Sequence, residues 1–310
     1  MRGRLTLAAL TVLGLGGCGT AATSPTATSG VAPVDPPAAV ADEAVVTDPG
    51  TAAAVPTPAG PSLSSVSDAA AELDAGLDGD VTAVVVDLAT GERTGHRGGT
   101  AFTSASLYKL YVVATALDQV DTGDLALDAV VGGGCGTVAR AAELAITVSD
   151  NACAISLGSV VGWDQVEDFV ERESFSGTTF HPVEHAGGWG TAGQETTADD
   201  TADLLVRLAE GDLLGAESTT FLLTQLDGQY FDSALSLTLA DDDAAFGHKL
   251  GTLAEVSHDA GILTMGGRRY VVAVLTGGWP GHAEPAAEPA LAGVGEALRA
   301  FAAARADASR

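Results

Sequence analysis

The sequence predicts an α+β fold, with an antiparallel sheet drawn from both ends of the domain, flanking helices and a mainly helical central lobe. Three observations point to it. A β-branched run at Val81–Leu88 is closed by the turn signal Thr90-Gly91. Near the other end, Gly261–Met265 and Tyr270–Thr276 read as strands on either side of a Gly266-Gly267 hairpin turn. Between these strands, Phe102 to about Val120 and then Val138 to about Leu226 carry helical patterns.

Taken in order, Ser62–Leu77 has helical spacing with Ser and Asp near its start, and Val81–Leu88 is followed by a second short strand. From Phe102 to about Val120, Leu107, Leu110, Tyr111, Ala114 and Leu117 fall on one helical face, with Thr103 or Ser104 available as N-cap. The helical material from Val138 to Leu226 is irregular, and Pro289–Ala304 closes the chain as an Ala-rich amphipathic helix.

The chain has 310 residues and a formal net charge of −27. That charge excludes nucleic acid as a partner, because cations must replace counterions along a phosphate backbone. It also excludes a polybasic membrane-surface role. Twelve basic residues are arginine and only two, Lys109 and Lys249, are lysine. A chain that uses arginine for ordinary surface cations keeps lysine where a compact amine able to lose its proton is required.

Residues 1–18 read as a targeting segment, with Arg2 and Arg4 before an apolar run from Leu5 to about Leu15 that is too short to span a bilayer. Leu15-Gly16-Gly17-Cys18 resembles the lipobox of bacterial lipoproteins, which implies an acylated Cys18 and a domain lipid-anchored to the outer face of the cytoplasmic membrane. An ordinary secretory signal is the alternative. Residues 19–61 hold eight of the twelve prolines and no Lys or Arg, the composition of an extended disordered linker. Residues 62–310 form the folded domain, expected as a monomer. In an exported chain Cys135 and Cys153 read as a disulfide, with two buried free thiols as the alternative.

Three motifs carry chemistry. In Ser106-Leu107-Tyr108-Lys109 the i, i+3 spacing brings the amine to the hydroxyl, and a lysine kept from water can act as base. The second motif is Ser149-Asp150-Asn151, and the third is Lys249-Leu250-Gly251-Thr252. In this order and with these flanks they resemble class A β-lactamases and penicillin-binding proteins. FTSASLYKLYVVATALDQVDTGDLAL from Phe102 and AITVSDN from Ala145 match that family almost residue by residue. The resemblance implies a β-lactamase/transpeptidase-like fold and no cofactor. It also implies hydrolysis of β-lactams, with D-alanyl-D-alanine carboxypeptidase or slowly released penicillin-binding lipoprotein as alternatives. Ser106 would be the nucleophile, Lys109 its proton acceptor and Ser149 a proton shuttle. Asn151 would hold the substrate amide and Lys249 would favour the substrate carboxylate. The N–H groups of Ser106 and Thr252 would form the oxyanion hole.

The chain departs from the family in three places. Leu250 stands where the third motif has a hydroxyl residue before Gly251, and Thr252 is expected to cover part of that loss. His258 occupies the place of an arginine that binds the substrate carboxylate in some members. Protonated His258 could substitute at acidic pH, or it is a strand histidine bonded to Asp259. Glu184 follows Ser149 at close to the family spacing of the deacylating glutamate, but Gly188 replaces the usual asparagine, so Glu184 is either that base or a loop carboxylate. His181-x-x-Glu184-His185 also spells an inverted zinc-protease pattern. Pro182 and Gly187-Gly188 oppose the helix it needs, so no metal is expected.

Overall fold

The computed structural model describes residues 62–180 and 194–307, all within one compact unit. The targeting segment with Cys18, the linker, and the stretch carrying His181, Glu184 and His185 lie outside the described residues. The domain opens with α1 (Ser64–Gly76), β1 (Asp80–Asp87), β2 (Glu92–His96) and β3 (Phe102–Thr103). A 3-10 turn at Ala105–Leu107 leads into α2 (Tyr108–Thr122). Then come β4 (Val130–Val131), β5 (Gly136–Thr137), α3 (Val138–Thr147), α4 (Asn151–Val161) and α5 (Trp163–Arg172). The short strands β6 (Thr179–Phe180) and β7 (Gln194–Thr196) precede α6 (Ala198–Glu210), α7 (Ala216–Asp227) and α8 (Ala234–Leu239). The chain returns to the sheet through β8 (Ala244–Thr252), β9 (Val256–Met265) and β10 (Arg268–Gly277), and ends in α9 (Ala283–Asp307).

The main sheet has the order β2-β1-β10-β9-β8 and is antiparallel throughout. The N-terminal β1 pairs with the C-terminal β10 from Asp80↔Gly277 to Asp87↔Tyr270, so both ends of the domain build one sheet, as the sequence predicts. The period-two alternation of strand side chains divides two cores. Val84, Val86, Ile262 and Ala273 face the helical lobe, whereas Val85, Leu263, Val272 and Val274 face α1, α8 and α9. Every residue of α2 from Tyr108 to Leu117 is buried. A helix buried on all sides lies at the centre of its lobe. Each large apolar side chain there contributes about 1.5–3 kcal/mol.

Four local expectations shift. Phe102–Thr103 pairs with β7 as a strand, so the helix starts at Tyr108, and neither Thr103 nor Ser104 caps it. Ala105 has φ 45°, a left-handed conformation no α-helix accommodates. The last helix begins at Ala283, six residues before Pro289, because Pro285 falls in the first turn, where a missing N–H costs nothing. Pro289 then sits inside the helix. The strand β8 was not evident in the sequence: Ala-Ala-Phe-Gly-His-Lys-Leu-Gly-Thr alternates poorly, since Phe246 to Lys249 are all buried. Cys135 and Cys153 are joined as a disulfide, with Cα atoms 5.3 Å apart, which excludes the free-thiol reading.

Candidate active site

The second motif is shaped by the ends of two helices. Thr147 ends α3 and Asp150 caps α4, accepting from the Cys153 N–H at 2.9 Å, so Ser149 is caught in the tight link between them with φ 54°. A non-glycine residue in that region is strained and must be held by its surroundings. Part of the hold is covalent, because the disulfide ties Cys153, two residues past Asn151, to the turn before α3. Ser106 lies in the 3-10 turn, one residue after the left-handed Ala105 and one turn ahead of Lys109.

These segments converge on Lys109. Its Nζ lies 3.1 Å from Ser106 Oγ, 2.9 Å from Ser149 Oγ, 2.6 Å from the Ser149 carbonyl oxygen and 2.7 Å from Asn151 Oδ1. Four oxygens therefore crowd an amine that has three N–H bonds when charged and two plus a lone pair when neutral. From the sheet side, Lys249 Nζ donates to Ser149 Oγ at 3.0 Å and to the Leu250 carbonyl at 2.7 Å. The Ser149 hydroxyl is thus shared by both lysines of the chain.

Both amines are fully buried. Burial pushes Lys109 down to about 8, partly opposed by the Asp150 charge. It pushes Lys249 down to about 7, helped by the neighbouring Lys109 charge and opposed by Asp259. Two ammoniums around one hydroxyl in a dry site repel each other and lack solvent, so near neutral pH one proton is readily given up.

Gly251 is required by the packing. A Cβ there would lie 2.9 Å from the Ser106 nitrogen and 3.1 Å from the Leu107 nitrogen. Only a glycine lets β8 press its backbone against the amides around the nucleophile. β8 is an edge strand. The Leu253 N–H bonds the Val256 carbonyl, and ladder alternation then turns the backbone groups of Thr252 and Leu250 outward from the sheet. The Ser106 and Thr252 segments therefore adjoin.

His258 is placed differently from its expected role. It is 1% exposed, its Nε2 meets the Thr103 carbonyl at 2.9 Å, and its Nδ1 accepts from the Thr276 N–H at 3.1 Å. Burial pushes its pKa down to about 4, against the opposing backbone contacts of Thr103 and Ser257. It is a neutral structural histidine rather than the carboxylate-binding cation, because both ring nitrogens are committed to the backbone. Asp259 instead pairs with His248 Nδ1 at 2.8 Å and receives the Ser233 hydroxyl. That buried network on β8 and β9 went unnoticed in sequence. His248 and Asp259 lie on neighbouring strands, 11 residues apart, and that spacing carries no local signal.

A hydroxyl nucleophile beside a desolvated amine, with a second hydroxyl between two amines and backbone amides close by, is the layout of a serine acyl-transfer site. The comparisons agree with that class. The family model described as Beta-lactamase enzyme family matches residues 65–302, and the chain belongs to that family. Among solved structures, the β-lactamase of Sphaerobacter thermophilus DSM 20745 is similar at 25% identity, covering 78% of this chain and 98% of that one, with TM-score 0.68. The ancestral (GNCA) class A β-lactamase is 27% identical over 75% of this chain and 98% of its own, also at 0.68. PBP-A, at 21% identity, covering 76% of this chain and 95% of that one with TM-score 0.66, shares the fold. No curated protein matches the chain. Family and fold are those of serine β-lactamase-type hydrolases.

Proposed function

We propose that the domain opens β-lactam rings through an acyl-Ser106 intermediate. The observation that carries this reading is the 3.1 Å contact between Lys109 Nζ and Ser106 Oγ in a site too dry to favour the ammonium. Neutral Lys109 takes the Ser106 proton on its lone pair as Oγ adds to the lactam carbonyl. The resulting oxyanion faces the N–H groups of Ser106 and Thr252. The proton then passes from Lys109 through Ser149 Oγ to the ring nitrogen, and the C–N bond breaks. Asn151 Oδ1 faces Lys109, which leaves its amide N–H groups for the substrate. Water hydrolyses the ester, with Glu184 as its base.

Gly188, standing where the family has asparagine, favours a second reading. The acyl-enzyme then outlives its formation, as in a penicillin-binding protein or a D-alanyl-D-alanine carboxypeptidase. Intact-mass spectrometry after mixing with a penicillin separates the two: a transient adduct with accumulating product supports the lactamase, and a long-lived adduct supports the second reading. No adduct on Ser106 at any time rejects both. Glu184→Gln should trap the adduct, and unchanged turnover would reject Glu184 as the base. We also propose export and lipid anchoring at Cys18 ahead of the 19–61 linker, supported by the lipobox pattern. Processing that ignores globomycin, or a protein absent from the membrane fraction, would reject the anchor.

A further inference from the structure

Among the described residues every aromatic side chain is buried or half-buried except two neighbours, Tyr230 at 74% exposure and Phe231 at 44%. They lie on the loop between α7 and α8, and their rings pack edge to face with centroids 5.3 Å apart. The loop is held in place by hydrogen bonds rather than by packing. Gln229 Nε2 donates to the Ile146 carbonyl at 2.8 Å, while Gln229 Oε1 accepts from the Tyr230 and Phe231 N–H groups at 3.0 and 3.2 Å. The Tyr230 N–H also reaches the Thr147 carbonyl at 2.8 Å. A fixed backbone carrying two stiff rings is a preorganised surface, because little freedom is left to lose when something settles on it.

The place of this loop relates it to the site. One end is bonded to the last turn of α3, just before Val148 and Ser149. At the other end, Asp232 and Ser233 share a cavity wall with Leu250 and Thr252 of β8. The loop therefore joins the same two elements that the 3.0 Å contact of Lys249 Nζ with Ser149 Oγ joins. Val148, beside Ser149, and Leu253, beside Thr252, are exposed as well, so both ends of this stretch add apolar surface. In the acyl-serine reading Ser149 passes the proton to the leaving nitrogen, which makes this the leaving-group side. Two rings are too small for a stable protein interface, which buries about 800 Å² per partner. A net charge of −27 opposes an anionic bilayer. An uncharged ring on a small substrate meets neither objection.

We propose, on the basis of the acyl-serine reading above, that Tyr230 and Phe231 form a binding face for an aryl group carried on the leaving-group side of the substrate. The aryl ring packs on the two side chains in offset or edge-to-face geometry. Lys249 stays available to the substrate carboxylate, since Ser149 and Leu250 engage two of the three N–H bonds its charged form offers.

The test compares two cephalosporins that share the acyl side chain and the ring carboxylate. At the ring carbon next to that carboxylate one bears a phenyl group and the other a methyl group. Ser106 acylation is followed by stopped flow and intact mass, and each kcat/KM is divided by the compound's own alkaline hydrolysis rate to remove intrinsic reactivity. The phenyl-to-methyl ratio should be about five or more. It should fall toward one in Y230A/F231A, with the loss appearing in KM. Y230F should keep the ratio, because the ring and not the hydroxyl does the packing. V160S, which removes an exposed apolar side chain near the far end of α4, should keep it too. The single variants Y230A and F231A should each lower it part-way, and they decide the matter if the double variant does not fold. A ratio near one in the unaltered protein, a ratio that survives loss of the rings, or an equal fall in V160S overturns the aryl face while Ser106 acylation still stands. Absence of acylation by both compounds removes the acyl-serine reading and this inference with it.

Discussion

On the helical wall of the site, Ser106, Ser149 and Asn151 lie within hydrogen-bond reach of the Lys109 amine, in an arrangement the family motifs anticipate. On the sheet wall, β8 keeps Lys249 and Gly251 but carries Leu250 in place of a hydroxyl residue. Behind it, Asp259 bonds His248 and Ser233, and His258 is tied to backbone. In the proposed reaction the helical wall makes and breaks bonds and the sheet wall selects what is brought there. The family motif is kept on the first wall and altered at Leu250 on the second, and each wall can be perturbed separately.

The largest effect is expected on the helical wall. Lys109→Met should slow Ser106 acylation by about 10³-fold or more, in the range of a lost general base. Lys109→Arg should not restore it, because a guanidinium does not give up its proton. Stopped-flow acylation kinetics check both, and near-normal rates in either variant would remove Lys109 as the base.

A smaller loss comes from the sheet wall. Gly251→Ala places a methyl group against the Ser106 and Leu107 amides and should cost about 10² in acylation through displacement of the nucleophile. The thermal midpoint should change little by comparison. A large fall in stability with unchanged acylation would show that the close approach serves folding and not catalysis.

The pH profile sharpens the division between the walls. Lys109, held down to about 8, must be neutral to accept a proton, so acylation should fall about tenfold per pH unit below that value. A profile flat from pH 6 to 8 would contradict this. The same burial acts on stability with a definite sign. Both lysines have folded-state pKa values below their unfolded ones, so the unfolded chain binds more protons in that window. Stability should therefore rise with pH from about 7 toward the ordinary lysine value of 10.5.

The smallest catalytic effect is expected from the disulfide. Cys135→Ser with Cys153→Ser should lower stability by about 3 kcal/mol, measured by denaturant unfolding. Acylation at low temperature should fall only modestly, because Asp150 still caps α4 and holds the Ser149 turn.

Much of this molecule is legible locally. The runs at Val81–Leu88 and Tyr270–Thr276 are β-branched and bounded by turn residues, so they read as strands before their pairing is known. The i, i+3 spacing of Ser106 and Lys109 fixes their proximity even though Ser106 lies in a 3-10 turn and not in the α-helix. β8 was hidden because burial on both faces erases the alternation that marks a strand. His258 reads in sequence as a carboxylate-binding cation or as a strand histidine bonded to Asp259, and neither reading reaches its actual ring contacts, because Thr103 and Thr276 come from other segments.

The sequence alone determined the fold class, the three motifs and the scarcity of lysine, since these rest on residue type and short-range spacing. Only the tertiary structure decided that both lysines meet at the Ser149 hydroxyl, that Gly251 abuts the Ser106 amide, and that the loop with Tyr230 and Phe231 reaches from α3 to β8. Those facts depend on contacts between segments far apart in the sequence, such as Lys249 with Ser149, 100 residues apart, and Gly251 with the still more distant Ser106. The protonation state of a buried amine follows from the whole shell around it, and no local spacing encodes that shell.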